Sequence, residues 1–181
     1  MKYLKITVIA SLSLLIGFII SCESDDICPD SESTTPRLII EAYDVSNQEN
    51  LKSIPSLLIV GVDNENILDG YAFVAKNKLL LPLKTDVNTT QYRLIKDAEI
   101  NDNGTPDNPD DDFLEGNQDI ISISYSRREI YVSRACGYKT IFENVTLNIE
   151  PDNDNWIKAR QPLNDNQSVE NETETHFNIY H

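Results

Sequence analysis

The sequence predicts an all-β domain, an antiparallel β-sandwich, and three observations predict it. Apolar runs are short and rich in β-branched and aromatic residues, and Asn, Asp, Gly and Pro break them. Several runs alternate strictly: Ile121, Ile123 and Tyr125 share one face against Ser122, Ser124 and Ser126, and Val145, Leu147 and Ile149 oppose Thr146, Asn148 and Glu150. No stretch of ten or more residues repeats apolar positions at helical spacing. Greek-key links of immunoglobulin-like type are the first expectation for the connections and a barrel the second.

In chain order, Lys2 and Lys5 form a short positive region, and from Ile6 to Ile20 every residue is apolar or small. Such a run reaches roughly 22 Å as a helix, short of the roughly 30 Å hydrocarbon core, so residues 1–21 read as a signal peptide rather than a span. The run ends Ile19-Ile20-Ser21-Cys22, which resembles a bacterial lipobox: aliphatic, tolerant, small, then the obligatory cysteine. That resemblance implies cleavage before Cys22 and acylation of its thiol. The competing reading is an uncleaved signal anchor with an incidental cysteine. One acyl chain anchors only marginally at about 0.8 kcal/mol per buried methylene, whereas two or three hold firmly.

Glu23, Asp25 and Asp26 follow at once. An acidic stretch there resembles the signal that carries Bacteroidota lipoproteins to the outer face of the outer membrane; a simple solvated tether is the alternative. Residues 22–36 hold two prolines and no apolar periodicity and read as a tether ending at Pro36. Extended, it reaches as far as about 50 Å from the bilayer.

The remaining 37–181 read as a single β domain, with strands expected at 37–44, 56–63, 71–75, 78–83, 91–96, 119–126, 129–135, 140–150 and 175–181. "SLLIVGV" at 56–62 is apolar at almost every position, as a strand covered on both faces requires. Two long polar insertions, 97–119 and 152–175, interrupt the pattern.

Loss of residues 1–21 removes Lys2 and Lys5 and no acid, leaving 13 basic against 30 acidic residues, net −17. A surface so acidic excludes nucleic acid and disfavours anionic headgroups as general partners. With Cys22 acylated, Cys28 and Cys136 remain, and an oxidising envelope favours their pairing over two buried thiols.

Two constellations carry candidate chemistry. In the first insertion Asp102, Asn103, Asp107, Asp110, Asp111, Asp112 and Glu115 offer hard oxygen ligands for calcium, with Asp102, Asp107, Asp110 and Asp112 as the candidate site, and "NDNGTPDNPDDD" resembles the loops of thrombospondin-type repeats. It occurs once and without their strict spacing, so a solvated acidic loop is the favoured reading and no cofactor is expected. In the second, Arg127, Arg128 and Arg134, with Lys139, supply four of the 13 positive charges beside Tyr125, Tyr131 and Tyr138. They suit an acidic partner or a glycan carboxylate, or else pair with the chain's own acids, the upstream insertion being the obvious source.

Catalysis finds no motif: G-x-S-x-G, H-E-x-x-H, the P-loop and the dinucleotide glycine turn are all missing, and His176 and His181 lie an odd number of residues apart. Trp156 reads as a core residue, with a sugar platform as the alternative. Finally, "CESDDICP", "TTPRLIIEAYD", "SYSRREIYVSRACGYK" and "HFNIYH" together resemble uncharacterised lipoproteins of the Bacteroidota, chiefly flavobacteria. The resemblance implies an acylated Cys22 and no catalytic residue. The expected function is that of an outer-membrane lipoprotein serving as a binding or scaffolding accessory to an envelope protein, with a calcium or glycan module as the alternative.

Overall fold

The computed structural model describes residues 27, 28, 34–163 and 167–181. The signal segment, Cys22 and most of the tether lie outside the described residues. The chain divides into two compact units, one of Thr34–Ile130 with Thr140–His181, the other of Tyr131–Lys139 with the residues up to Ser33.

Among the described residues nine strands form in order: β1 (Leu38–Tyr43), β2 (Ile54–Gly61), β3 (Val74–Lys76), β4 (Lys78–Leu81), β5 (Thr89–Asn101), β6 (Phe113–Ser133), β7 (Gly137–Ile149), β8 (Ala159–Pro162) and β9 (Phe177–Tyr180). They make two sheets, β4-β1-β9-β8 and β3-β2-β5-β6-β7. The expected arrangement is corrected at one pair: β1 and β9 run parallel, with Ile40 opposite Phe177 and Tyr43 opposite Tyr180. The pairs β1–β4, β2–β3, β2–β5, β5–β6 and β8–β9 are antiparallel, so the fold is sandwich-like and predominantly antiparallel.

In the larger unit the two sheets meet through one core. Leu38, Ile40, Leu79, Leu81, Phe177 and Ile179 pack from one side, and Leu57, Ile59, Leu94, Ile121, Ile123, Phe142, Val145 and Leu147 from the other. Within each strand these positions follow period-two alternation, except in β7, where Asn144 at φ 53° lets Phe142 and Val145 both face the core. The apolar run of β2 is covered on both faces, as its composition requires. Leu57 and Ile59 enter the main core, while Leu58 and Val60 join Ile95 and Ala98 in a second cluster.

The polar groups around Tyr125 and Tyr92 are paired. The Tyr125 hydroxyl lies 2.6 Å from Thr90 Oγ1 and donates to the Lys84 carbonyl at 2.9 Å, and Lys84 N–H donates to Thr90 Oγ1. Burial pushes the neighbouring Tyr92 phenol up to about 12, and its hydroxyl donates to the Pro82 carbonyl. Together these bonds hold the 82–85 segment against the sheet.

Three expectations about elements change. The strands foreseen at 119–126 and 129–135 are one strand, β6, of 21 residues. Arg127, Arg128 and Glu129 break the alternation because both faces are solvated there. The first insertion shrinks to 102–112, since β5 and β6 extend into it. The second contains β8 and three buried residues, Trp156, Ile157 and Val169, and Glu172 in it grips Arg37 through bonds of 2.6 to 2.9 Å. That grip holds the Glu172 carboxyl below its ordinary range.

Candidate functional site

An exposed feature is the ribbon formed by the far ends of β5 and β6. β2 accompanies β5 only as far as Ile95, while β5 and β6 stay paired out to Asn101 opposite Phe113. At its base sits a bulge, where Asp97 and Ala98 stand opposite Gly116 alone. Asp97 takes a left-handed conformation at φ 55°, and Ser56 Oγ donates to the Ala98 carbonyl at 2.6 Å. Gly116 is required by space: a Cβ there would stand 2.7 Å from Ile95 Cγ2 and 2.9 Å from the Lys96 carbonyl oxygen.

Beyond the bulge the ribbon is solvated, yet it carries Ile100, Phe113 and Leu114, exposed by 55, 47 and 41 %. Ile100 and Leu114 are directly opposed and share a face; Phe113, opposite Asn101, takes the other. Residues 97–118 contain eight acids and no Lys or Arg. The ribbon is therefore an apolar tip in a uniformly negative setting.

At its end, Asp102 Oδ1 accepts from Gly104 N–H at 3.0 Å, and the Thr105 hydroxyl lies 2.8 and 2.9 Å from the two Asp111 oxygens. Asn103 Nδ2 donates to the same carboxylate. The loop's own donors thus satisfy Asp111, one of the oxygen ligands the loop offers. Asp102, Asp107, Asp110 and Asp112 are exposed and are not brought together. Among the described residues no group of three or more His, Cys, Asp or Glu is placed to hold a metal ion.

Of the three arginines, Arg127 donates from Nε to Asn88 Oδ1 at 2.8 Å and from Nη1 to the Thr85 carbonyl. Arg128 pairs with Glu143 at 2.7 Å, so its carboxylate comes from the next strand and not from the acidic insertion. Arg134 is exposed in the turn between β6 and β7. Arg127 lines a polar cleft of about 400 Å³ with Thr85, Asn88, Ser126, Glu129 and Thr140. Glu129 offsets its charge and two of its N–H groups are taken, which suits hydroxyl groups better than a strong anion.

Sequence reasoning missed a buried acid. Asp119 is wholly buried, and its carboxylate accepts from Trp156 N–H at 3.2 Å and Ile157 N–H at 2.7 Å. Burial raises its pKa against these bonds. The pair of bonds seats Trp156 in the core, where Nε1 donates to the Leu94 carbonyl and the ring meets His181 edge-on. The sugar-platform reading of Trp156 is therefore corrected. An acid followed by an alternating strand was the available signal, but the sequence gives no distance to residue 156.

Both histidines are buried and held below the usual range by desolvation. His176 Nδ1 accepts from Ile39 N–H at 2.9 Å, which demands an unprotonated nitrogen. A base with a lowered folded pKa binds its proton better when unfolded. Stability is then fully present above about pH 6.5 and is lost as pH falls through the folded values. Melting temperature should decline between pH 7.5 and 5, and His176→Asn, which keeps an acceptor, should flatten that decline. A flat wild-type profile would contradict it.

Fold and surfaces define the class: a two-sheet, mostly antiparallel β domain whose exposed features are consistent with a binding or accessory module. No helix among the described residues is long and apolar enough to cross a membrane. The chain belongs to a family of unknown function, DUF6452, whose model matches residues 56–181. The match takes in the Arg127–Lys139 block and the closing "HFNIYH", and leaves Cys22, Cys28 and β1 outside it. No curated protein and no solved structure matches the chain.

Proposed function

We propose that this is an outer-membrane lipoprotein, mature from Cys22, whose β domain serves as a binding or scaffolding accessory to another envelope protein. The observation that carries the reading is the β5–β6 ribbon. A two-stranded ribbon is marginal in water, and this one extends past its sheet with Ile100, Phe113 and Leu114 in solvent. Its eight acids fit a partner whose apolar cleft is rimmed by Lys or Arg. The Greek-key, immunoglobulin-like reading of the framework draws support from the repeated passage of the chain between sheets. Lipidation at Cys22 draws its support from the lipobox, and display on the outer face from Glu23, Asp25 and Asp26.

The test is purification from native membranes in mild detergent, wild type against an Ile100→Ser, Phe113→Ser, Leu114→Ser triple variant. All three residues are exposed, so the variant should fold. A stoichiometric membrane protein that co-elutes with wild type and is lost from the variant is expected; wild type eluting alone would contradict the accessory role.

A second reading, a glycan module, draws on the hydroxyl-rich cleft around Arg127. Calcium at residues 102–112 would have to draw Asp111 away from Thr105 and Asn103. A melting temperature raised by millimolar calcium would favour it.

A further inference from the structure

We propose that the β6–β7 tip, residues 131–139, lies against the lipid bilayer. The inference builds on acylation of Cys22 and adds a membrane contact that the lipobox does not give. Cys28 and Cys136 are joined by a disulfide across a sequence separation of 108 residues. Cys28 stands six residues after Cys22, so the tip is fastened to the anchor by a segment that extends at most about 20 Å. The free tether expected from the sequence, with its reach of about 50 Å, ends at this crosslink instead of at Pro36.

What the tip presents fits that place. Tyr131 and Tyr138 are exposed by 57 and 68 %, with ring centroids 5.4 Å apart in an edge-on pair. Ile27, beside Cys28, is exposed by 78 %. Tyrosine rings joined to a polar hydroxyl are the side chains that favour the membrane–water boundary. Arg134 stands exposed at the turn, where its aliphatic stem can lie along the acyl boundary under a guanidinium at phosphate level. From Ile130 to Phe142 the chain holds Arg134 and Lys139 and no acid, an exception in a sequence with 30 acids. Glu23, Asp25 and Asp26 share the short anchor segment and oppose attraction to anionic lipid. Docking therefore relies on the rings and should depend little on salt.

The test uses the full chain with acylated Cys22, reconstituted in phosphatidylethanolamine vesicles containing one-fifth phosphatidylglycerol. The native chain has one tryptophan, the buried Trp156, so Tyr138→Trp adds a single exposed reporter. Tyr131→Trp is the second variant, and Phe113→Trp, on the ribbon, is the control. Tip emission is expected to shift to shorter wavelength and lose at least half its intensity to brominated lipid, with acrylamide quenching reduced; the ribbon reporter should do neither. If both tip reporters stay accessible to acrylamide and unquenched by bromolipid on vesicle-bound, acylated protein, the docking is overturned while the anchor stands. If mass spectrometry finds no acyl chain on Cys22, anchor and docking fall together.

Discussion

Asp119→Ala is expected to destabilise the domain by about 2–5 kcal/mol, since it strips the acceptor from two buried backbone donors at once. Trp156 and Ile157 are buried there, and both side chains belong to the core. Asp119→Asn keeps one acceptor oxygen and relieves the desolvated charge, so its loss should be smaller than that of the alanine variant. Denaturant titration followed by the fluorescence of Trp156 reads both the midpoint and the exposure of the ring. An alanine variant within about 0.5 kcal/mol of wild type, the range of ordinary surface changes, would mean that the carboxylate does not seat this segment.

Gly116→Ala should cost roughly 2–4 kcal/mol, from overpacking added to a backbone conformation that L-residues avoid. At φ 137° the new methyl would meet the Lys96 carbonyl oxygen at 2.9 Å and Ala98 Cα at 3.1 Å, both main-chain atoms that cannot swing aside. The strain falls on the bulge that launches the ribbon. Hydrogen exchange should therefore quicken over 97–117 before it changes in β1 or β9. Partner capture should weaken in this variant although Ile100, Phe113 and Leu114 are untouched. Unchanged exchange at the bulge would show that the ribbon does not depend on the close approach at Gly116.

What the sequence made legible follows from the range of the forces involved. Alternation of Ile121, Ile123 and Tyr125 against three serines is a local pattern with one physical reading, and those three residues are buried in the core. The unbroken apolar run of β2 likewise announced cover on both faces. β8 left no such trace: all four of its residues are exposed, so its place is set by pairing with β9 and not by burial. The β5–β6 ribbon hid for the same reason, because a strand wet on both faces has no period to detect. The parallel pairing of β1 with β9 joins residues more than 130 positions apart, and nothing local to either strand encodes its direction.

The chemistry of the surfaces was legible in kind and less so in detail. Arginine pairing with the chain's own acids holds for Arg128, but Glu143 is the partner because it lies on the adjoining strand. The acidic loop was read from composition, which counts carboxylates without locating them. Of the carboxylates so counted, Asp111 is the one its neighbours enclose. Asp119 stands where the polar insertion meets the strand expected at 119–126, and its position places it on the inward face with Ile121 and Ile123.

The lipid on Cys22 underlies both the accessory role and the membrane contact proposed for the tip. The most direct measurement is the intact mass of the protein extracted from native outer membranes, with fragmentation of its first peptide. The account predicts a chain that begins at Cys22 and carries two or three acyl chains there, with Cys28 and Cys136 oxidised. A chain that begins elsewhere, or an unmodified Cys22, would contradict it.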